Sequence, residues 1–295
     1  VLDDHGDITF PGIPVVLTFD AATDLGAVRR LNEDSFIAAP PIFAVADGMG
    51  GHAFGDRASR VVVEAFATAF GVDAPASADG VLDVIRSANR AVVSLTADTP
   101  DVVSGTTLAG LAFVSVGRRD TFHWMAFNIG DSRVYRWDGR TLTQLTVDHS
   151  AVQELVDDGA ISRADAAAHP DRNVVTRALG AEGEVDPDVW LLPATGRQRF
   201  LVCSDGLTRE LSDDEIARVL VFHEGTTVDA DEPITLSQRL VGAAIAAGGS
   251  DNVTVISVES VMAPTAVAAP TTSLLAAGAR SAGAPRELED TSPRR

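Results

Sequence analysis

Residues 42–59 read IFAVADGMGGHAFGDRAS: an apolar run from Ile42 to Ala46 stops at the acid Asp47, then passes into Gly48, Met49, Gly50, Gly51 and His52 before a polar helix start near Asp56. Glycines at that density mark tight turns or close approach of the backbone to something bound. A carboxylate at the mouth of a buried strand, followed by such a turn, is suited to holding a cation. An ordinary strand-to-helix turn gives the same local pattern, and the stretch alone leaves both readings open.

The 295 residues, with 45% hydrophobic content and a mean hydropathy of +0.13, allow one large core or two small ones. A formal charge of -19, from 42 acids against 23 Lys and Arg, argues against a nucleic-acid partner and agrees with divalent cations, although a solvated acidic surface explains it nearly as well. Cys203 is the single cysteine, which removes any internal disulfide framework and is compatible with a reducing compartment. No run of about eighteen apolar residues occurs, and the first dozen residues are acidic and polar, so neither a membrane span nor a signal peptide is expected. A cytoplasmic monomer is the expectation from these features.

Outward from the central stretch, residues 15–21 and 35–39 read as strands. Between them the connection GAVRRLNEDS carries Arg29, Glu33 and Asp34. Ala58, Val61, Val62, Ala65, Phe66 and Ala69 recur with helical spacing, as do Leu82, Ile85, Ala88, Val92 and Leu95. A meander of strands follows over 105–116, 122–130 and 133–137, with Asp138-Gly139 as a hairpin signal before TLTQLT. Residues 149–172 turn polar and helical, as a flap over the surface would. Strand character returns near Trp190 and over 199–206. Ser212 to Glu215 forms a capping box opening a helix to about Phe222, and a helix over 236–247 leads through Gly248-Gly249 and Asp251-Asn252 into a last strand, VTVISVES. The Ala, Pro, Thr and Ser-rich residues from about Met262 onward show no periodicity and are expected to be disordered.

Asp47, Asp131, Asp205 and Asp251 share one setting, each beside glycine or a small residue where a strand begins or ends. Converging in an interior they would repel one another unless cations neutralised them. An all-oxygen ligand set suits magnesium or manganese better than zinc.

With these residues on the page, the chain resembles bacterial members of the metal-dependent protein phosphatase 2C (PPM) family of protein serine/threonine phosphatases. The matching segments run in the family's order: VRRLNED (28–34), VADGMGGH (45–52), SGTTLAGL (104–111), NIGDSRVYRW (128–137), TRALG (176–180), CSDGLTREL (203–211) and GGSDNVTVI (248–256). The strand and helix runs predict an α/β (α+β) domain. The resemblance implies that it is a β-sandwich of two antiparallel sheets with helices on both outer faces. The organisation expected is an N-terminal extension over 1–13, the phosphatase domain over 14–260 with its flap at 149–172, and the tail over 261–295.

The resemblance implies that phosphoserine and phosphothreonine on proteins are hydrolysed by a metal-activated water with no phosphoenzyme. Two Mn2+ or Mg2+ ions are implied in the core site, with a weaker third. Asp47 corresponds to the carboxylate bridging the pair and Gly48 to a carbonyl ligand. Asp205 and Asp251 correspond to ligands of the second ion, and Asp131 with Asp205 to those of the third. Glu33 and Asp34 match acids that hold metal-bound waters, Asn252 should orient Asp251, and Arg29 matches the guanidinium that grips the substrate phosphate. Phosphorylated proteins, a serine/threonine kinase among them, are the implied partners. Met49 stands where eukaryotic relatives carry a histidine, so the general acid is left unnamed, and His52 does not inherit that role.

Three rival readings compete. CSDGLTR satisfies the C-x5-R spacing of cysteine-dependent phosphatases, but Asp205 would set a carboxylate against the bound dianion, and an inert strand cysteine is the simpler reading of Cys203. A catalytically silent phosphoprotein-binding domain would be marked by lost ligands, and none is lost. A metal-dependent nuclease or nucleotide hydrolase is disfavoured by the acidic balance. His149 reads as a loop histidine with a local hydrogen bond, Thr106, Thr107, Ser132 and Arg133 as supports of the strand ends, and Trp124 and Trp137 as sheet residues.

Overall fold

The structure, a computed structural model, describes residues 2–50, 54–95, 104–117, 121–166, 168–225 and 234–263. His52 and nearly all of the expected tail lie outside the described residues.

The chain begins with β1 (Leu2–Thr9) and β2 (Val15–Asp24), then β3 (Asp34–Ala39) and β4 (Ile42–Met49), the last of these the apolar run of the central stretch. Two helices, α1 (Gly55–Ala69) and α2 (Ala78–Leu95), flank a two-residue β5 (Ala76–Ser77). The meander follows as β6 (Gly105–Thr106), β7 (Leu108–Ser115), β8 (Phe122–Ile129), β9 (Arg133–Trp137) and β10 (Leu142–Gln144). After the flap helices α3 (Ala151–Asp157) and α4 (Arg163–Ala166) come β11 (Asp188–Pro193) and β12 (Arg197–Cys203). Helices α5 (Asp205–Glu210), α6 (Asp213–Gly225) and α7 (Leu236–Ala247) precede the final strand, β13 (Val253–Met262).

One sheet has the order β1-β2-β13-β12-β9-β10, and the other β11-β8-β7-β4-β3 with β5 and β6 attached. Only the short β5–β7 pairing is parallel among the described strands. Period-2 alternation sorts the side chains of both sheets. Phe43, Val45, Phe113, Trp124, Phe200, Val202, Ile256 and Val258 fill the space between the sheets. The Trp124 ring lies 5.2 Å from Phe113 and 5.4 Å from Phe200, and its indole N–H donates to Ser260 Oγ at 3.2 Å. Packing between the two sheets thus accounts for this tryptophan. On the outer face of the second sheet, α1 and α2 bury Val62, Phe66, Ile85 and Val92. On that of the first, α5, α6 and α7 bury Leu207, Ile216, Leu220 and Leu240. The expected sandwich with helices on both outer faces is the architecture observed.

Several expectations are corrected in detail. Residues 1–13, set apart as an extension, contribute β1, which pairs with β2 from Leu2↔Thr23 to Thr9↔Val16 and so joins the sheet. The last strand continues past residue 260 because Met262 pairs with Val15. The single strand expected over 105–116 is broken at Thr107, so that β6 pairs with the end of β4 and β7 with its body. Residues 205–206, read as the end of a strand, instead open helix α5.

Candidate metal centre

The same alternation that buries Phe43 and Val45 between the sheets aims Asp47 there too, at the end where the strands run out. Asp34 lies directly across from Asp47 in the β3–β4 ladder. Ser204 follows Val202 in step on the inner face, and Thr254 precedes Ile256, and both hydroxyls donate to Asp34 Oδ2, at 2.8 and 2.7 Å. One end of the sandwich is therefore polar inside, and the acids meet there. Asp47, Gly48, Asp131, Asp205 and Asp251 all line one cavity of about 550 Å³, with Arg29, Glu33 and Asn252 on its walls.

Backbone packing holds this end rigid. Asp47 N–H donates to Thr107 Oγ1 at 3.0 Å, Thr107 N–H donates back to Asp47 O at 2.9 Å, and Thr107 Oγ1 shares a 2.7 Å bond with Ser132 Oγ. Gly130 has φ +105, and a Cβ there would meet Thr107 at 2.6 Å, so only glycine turns the chain into Asp131 at this point. Its N–H donates to Nδ1 of the buried His149 at 3.0 Å, and Arg133 grips Asp148 through two guanidinium nitrogens. These residues are supports of the strand ends, as read from the sequence.

Arg29 Nη2 donates to Asp251 Oδ2 at 2.7 Å from a half-exposed position on the rim. Asn252 meets Asp251 through its backbone rather than its side chain. Its side chain fastens the connection over 25–33, donating to Leu25 O and Leu31 O and accepting from Glu33 N–H, while its backbone N–H holds Asp251 Oδ1 at 2.9 Å. The flap's two ends are stitched together by Ala151 N–H to Val174 O and Thr176 N–H to His149 O, both 2.9 Å, and neither flap helix buries a residue.

Sequence reasoning missed Arg209. Once 205–210 is a helix, Arg209 stands one turn after Asp205, pairs with its Oδ2, and donates through Nη1 to Asp251 Oδ2 at 2.5 Å. The i,i+4 spacing was the available signal, hidden by assigning these residues to a strand and a loop. Ser204 and Thr254, which hold Asp34, were also missed, because their partners lie 170 and 220 residues away.

Burial, reinforced by the charges of Asp34, Asp205, Asp131 and Asp251, pushes the Asp47 carboxyl well above the usual carboxylate range. Burial and Asp131 do the same to Asp205 in spite of Arg209. Asp34 and Asp131 are each raised to about 6, chiefly by burial. Burial raises Glu33 as well, against the pull of Arg29. Asp205 Oδ1 and Asp34 Oδ1 are buried without a hydrogen-bond partner. Buried carboxylate oxygens in that condition are costly unless a cation meets them, and an all-oxygen donor set suits a hard divalent ion. As placed, no three acidic, histidine or cysteine side chains among the described residues enclose such an ion. The donor chemistry fits a metal centre.

Two outcomes follow from this geometry. Cys203 alternates to the face opposite Ser204, into the α5–α7 layer, where burial pushes its thiol up to about 12. Cys203→Ser is expected to leave phosphate release within about twofold of wild type; a steady-state assay checks it, and a large loss would revive the cysteine chemistry. The second concerns pH. Carboxyls raised from 3.8 to about 6 contribute stability that is full below 3.8 and lost as pH rises through 6. In chelator, thermal unfolding should therefore occur at higher temperature at about pH 5 than at about pH 7.5, with the gap narrowing when manganese is added. Melting curves at the two pH values test this.

The family model described as Protein phosphatase 2C matches residues 30–242. The serine/threonine protein phosphatase PstP of Mycobacterium tuberculosis is 37% identical over 246 residues, which are 83% of this chain and 45% of that protein. The chain thus spans less than half the length of this relative. The serine/threonine phosphatase stp of Listeria welshimeri is 36% identical over 248 residues, 80% of this chain and 93% of that one. Among solved structures, the catalytic domain of PstP in complex with two manganese ions superposes with a TM-score of 0.70 at 36% identity, covering 84% of this chain and 99% of that chain. The serine/threonine phosphatase Stp1 of Staphylococcus aureus gives 0.68 at 28% identity, with 83% and 95% covered. Agreement in sequence and in fold has one source: the chain belongs to the protein phosphatase 2C family.

Proposed function

We propose that the chain hydrolyses phosphoserine and phosphothreonine on proteins in a reaction that depends on Mn2+ or Mg2+. The observation that carries this reading is the convergence of Asp47, Gly48, Asp131, Asp205 and Asp251 on one cavity, with Arg29 at its rim. In this reading Asp47, the Gly48 carbonyl, Asp205 and Asp251 would hold the two ions, with Asp47 shared between them, and Asp131 with Asp205 would hold a weaker third. Glu33 and Asp34 act behind these ligands, with Ser204 and Thr254 keeping Asp34 in its rotamer. A bound divalent pair supplies a water of lowered pKa and neutralises charge on the transferring phosphoryl group. The chain's own residues position the phosphate, hold the carboxylates in a dry interior and keep solvent from their rear face.

Arg29 is well suited to the phosphate, because its planar fork can leave Asp251 and pair two phosphate oxygens. Arg29→Ala should raise KM for a phosphothreonine peptide by at least roughly 10- to 100-fold, the range expected for each charge-assisted hydrogen bond lost. Manganese affinity should change little by comparison. Isothermal titration with manganese beside steady-state kinetics separates the two, and an unchanged KM would remove Arg29 from phosphate binding.

Phosphate release from a phosphothreonine peptide, compared with release from nucleotides across a manganese titration with chelator as control, tests the function. Full activity in chelator would overturn the metal dependence, faster nucleotide hydrolysis would favour the nucleotide hydrolase, and metal binding without turnover would favour the silent regulatory domain. We further propose that the enzyme acts as a monomer in the cytoplasm and that a serine/threonine kinase is among its substrates. The structure's relevant feature is that no helix among the described residues is long and apolar enough to cross a membrane. Phosphoproteomes with and without the enzyme, and its sedimentation, test these points.

A further inference from the structure

Arg209 draws together two carboxylates that sequence keeps far apart. Helix α5 sets it one turn after Asp205, on the same face, so that its guanidinium meets Asp205 Oδ2 through one nitrogen and Asp251 Oδ2 through another. The second contact spans 42 positions of the chain. Its side chain is 28% exposed, against 46% for Arg29, which shares the same Asp251 oxygen. Arg209 is thus the deeper of the two arginines, and the charges it faces are those of Asp205, Asp251, Asp131 and Asp47. Such a cation stabilises carboxylates that would otherwise repel. It also opposes any second cation, both by holding the ligand oxygens and by like-charge repulsion in a partly desolvated site. The i,i+4 spacing places it on the same face of α5 as Asp205.

We propose that Arg209 is a resident counter-cation that competes with the divalent ion for Asp205 and Asp251 and so sets the metal concentration at which the site fills. The inference rests on the metal centre proposed above. It gives the chain two ways of neutralising the same oxygens: through its own guanidinium when divalent ions are scarce, and through the metal when they are abundant.

Arg209→Gln separates the two. Manganese titrated calorimetrically into the chelator-stripped full chain at constant pH should bind about tenfold more tightly to Arg209→Gln than to wild type. The melting temperature in chelator should move the other way and fall, because Asp205 and Asp251 lose their partner. Arg209→Lys keeps the charge without the fork and should lie between the two proteins in manganese affinity, while melting close to wild type in chelator. Equal or weaker manganese binding by Arg209→Gln would overturn the inference and leave the metal centre intact. A rise in KM with no change in manganese affinity would overturn it as well, marking Arg209 as a phosphate contact instead. Failure of manganese to bind wild type and variant alike would sink the metal centre together with the inference.

Discussion

Asp47→Asn should lower turnover on a phosphothreonine peptide by on the order of a thousandfold at saturating manganese, while raising the melting temperature in chelator. The two signs come from one cause. Asp47 is the carboxylate that every other acid of the cluster presses on, so exchanging it for an isosteric amide relieves repulsion from Asp34, Asp205, Asp131 and Asp251. The fold has no need of the charge, since the backbone bonds to Thr107 are made by Asp47 N–H and C=O and survive the exchange. On the assignment proposed above a metal pair would need it, because a bridging carboxylate would contribute charge to both ions. Loss of a shared carboxylate is not recovered at practical metal concentrations, whereas Asp205→Asn and Asp251→Asn should be partly rescued by excess manganese through mass action. Kinetics across a manganese titration, together with melting in chelator, provide the measurement. An Asp47→Asn enzyme within about tenfold of wild type would remove Asp47 from the bridging role.

Gly48→Ala should destabilise the domain by about 3 kcal/mol or more, an overpacking cost at its upper range because no side chain can yield. A Cβ at Gly48 would stand 2.2 Å from Gly55 O and 2.7 Å from Glu33 O, both backbone atoms. Gly48 N–H also donates to Glu33 O at 3.1 Å, so the strand, the first turn of α1 and the 25–33 connection are locked at this point. Relief requires β4 and α1 to part, and with them Asp47 and the Gly48 carbonyl. For a domain of this size the melting temperature should drop by roughly 10 °C, and manganese affinity should fall although the substituted residue keeps its carbonyl. Differential scanning calorimetry and manganese titration would show both. A melting temperature within about 2 °C of wild type would mean that the close approach is not a constraint.

The sequence by itself determined a good deal. Helical spacing located α1 and α2, the helix over 236–247 was found to the residue, and of the capping box expected at Ser212 one half is present, Ser212 N–H donating to Glu215 Oε2 at 2.9 Å while the Ser212 hydroxyl donates to the same oxygen. These are local patterns, set by contacts within a turn or two, and local patterns survive in one dimension. The acids Asp47, Asp131, Asp205 and Asp251 were also legible, because glycine beside an acid at a strand end is a local feature.

Tertiary structure alone decided which of those strand ends meet and which way each side chain points. Nothing near residue 204 says that Ser204 turns inward to Asp34 while Cys203 turns outward under α5. A shift of one residue in register exchanges the two faces, and register is set by pairing between strands remote in sequence. β1 joins the sheet differently, by pairing with its neighbour β2 across a short turn from Thr9↔Val16, and only the pairing of β2 with β13 is remote in sequence. Arg209 is the clearest case. Its partner Asp205 is one helical turn away, but Asp251 reaches it only because α5 and the entry to β13 pack against each other, and the charge balance of the site exists only in that packed arrangement.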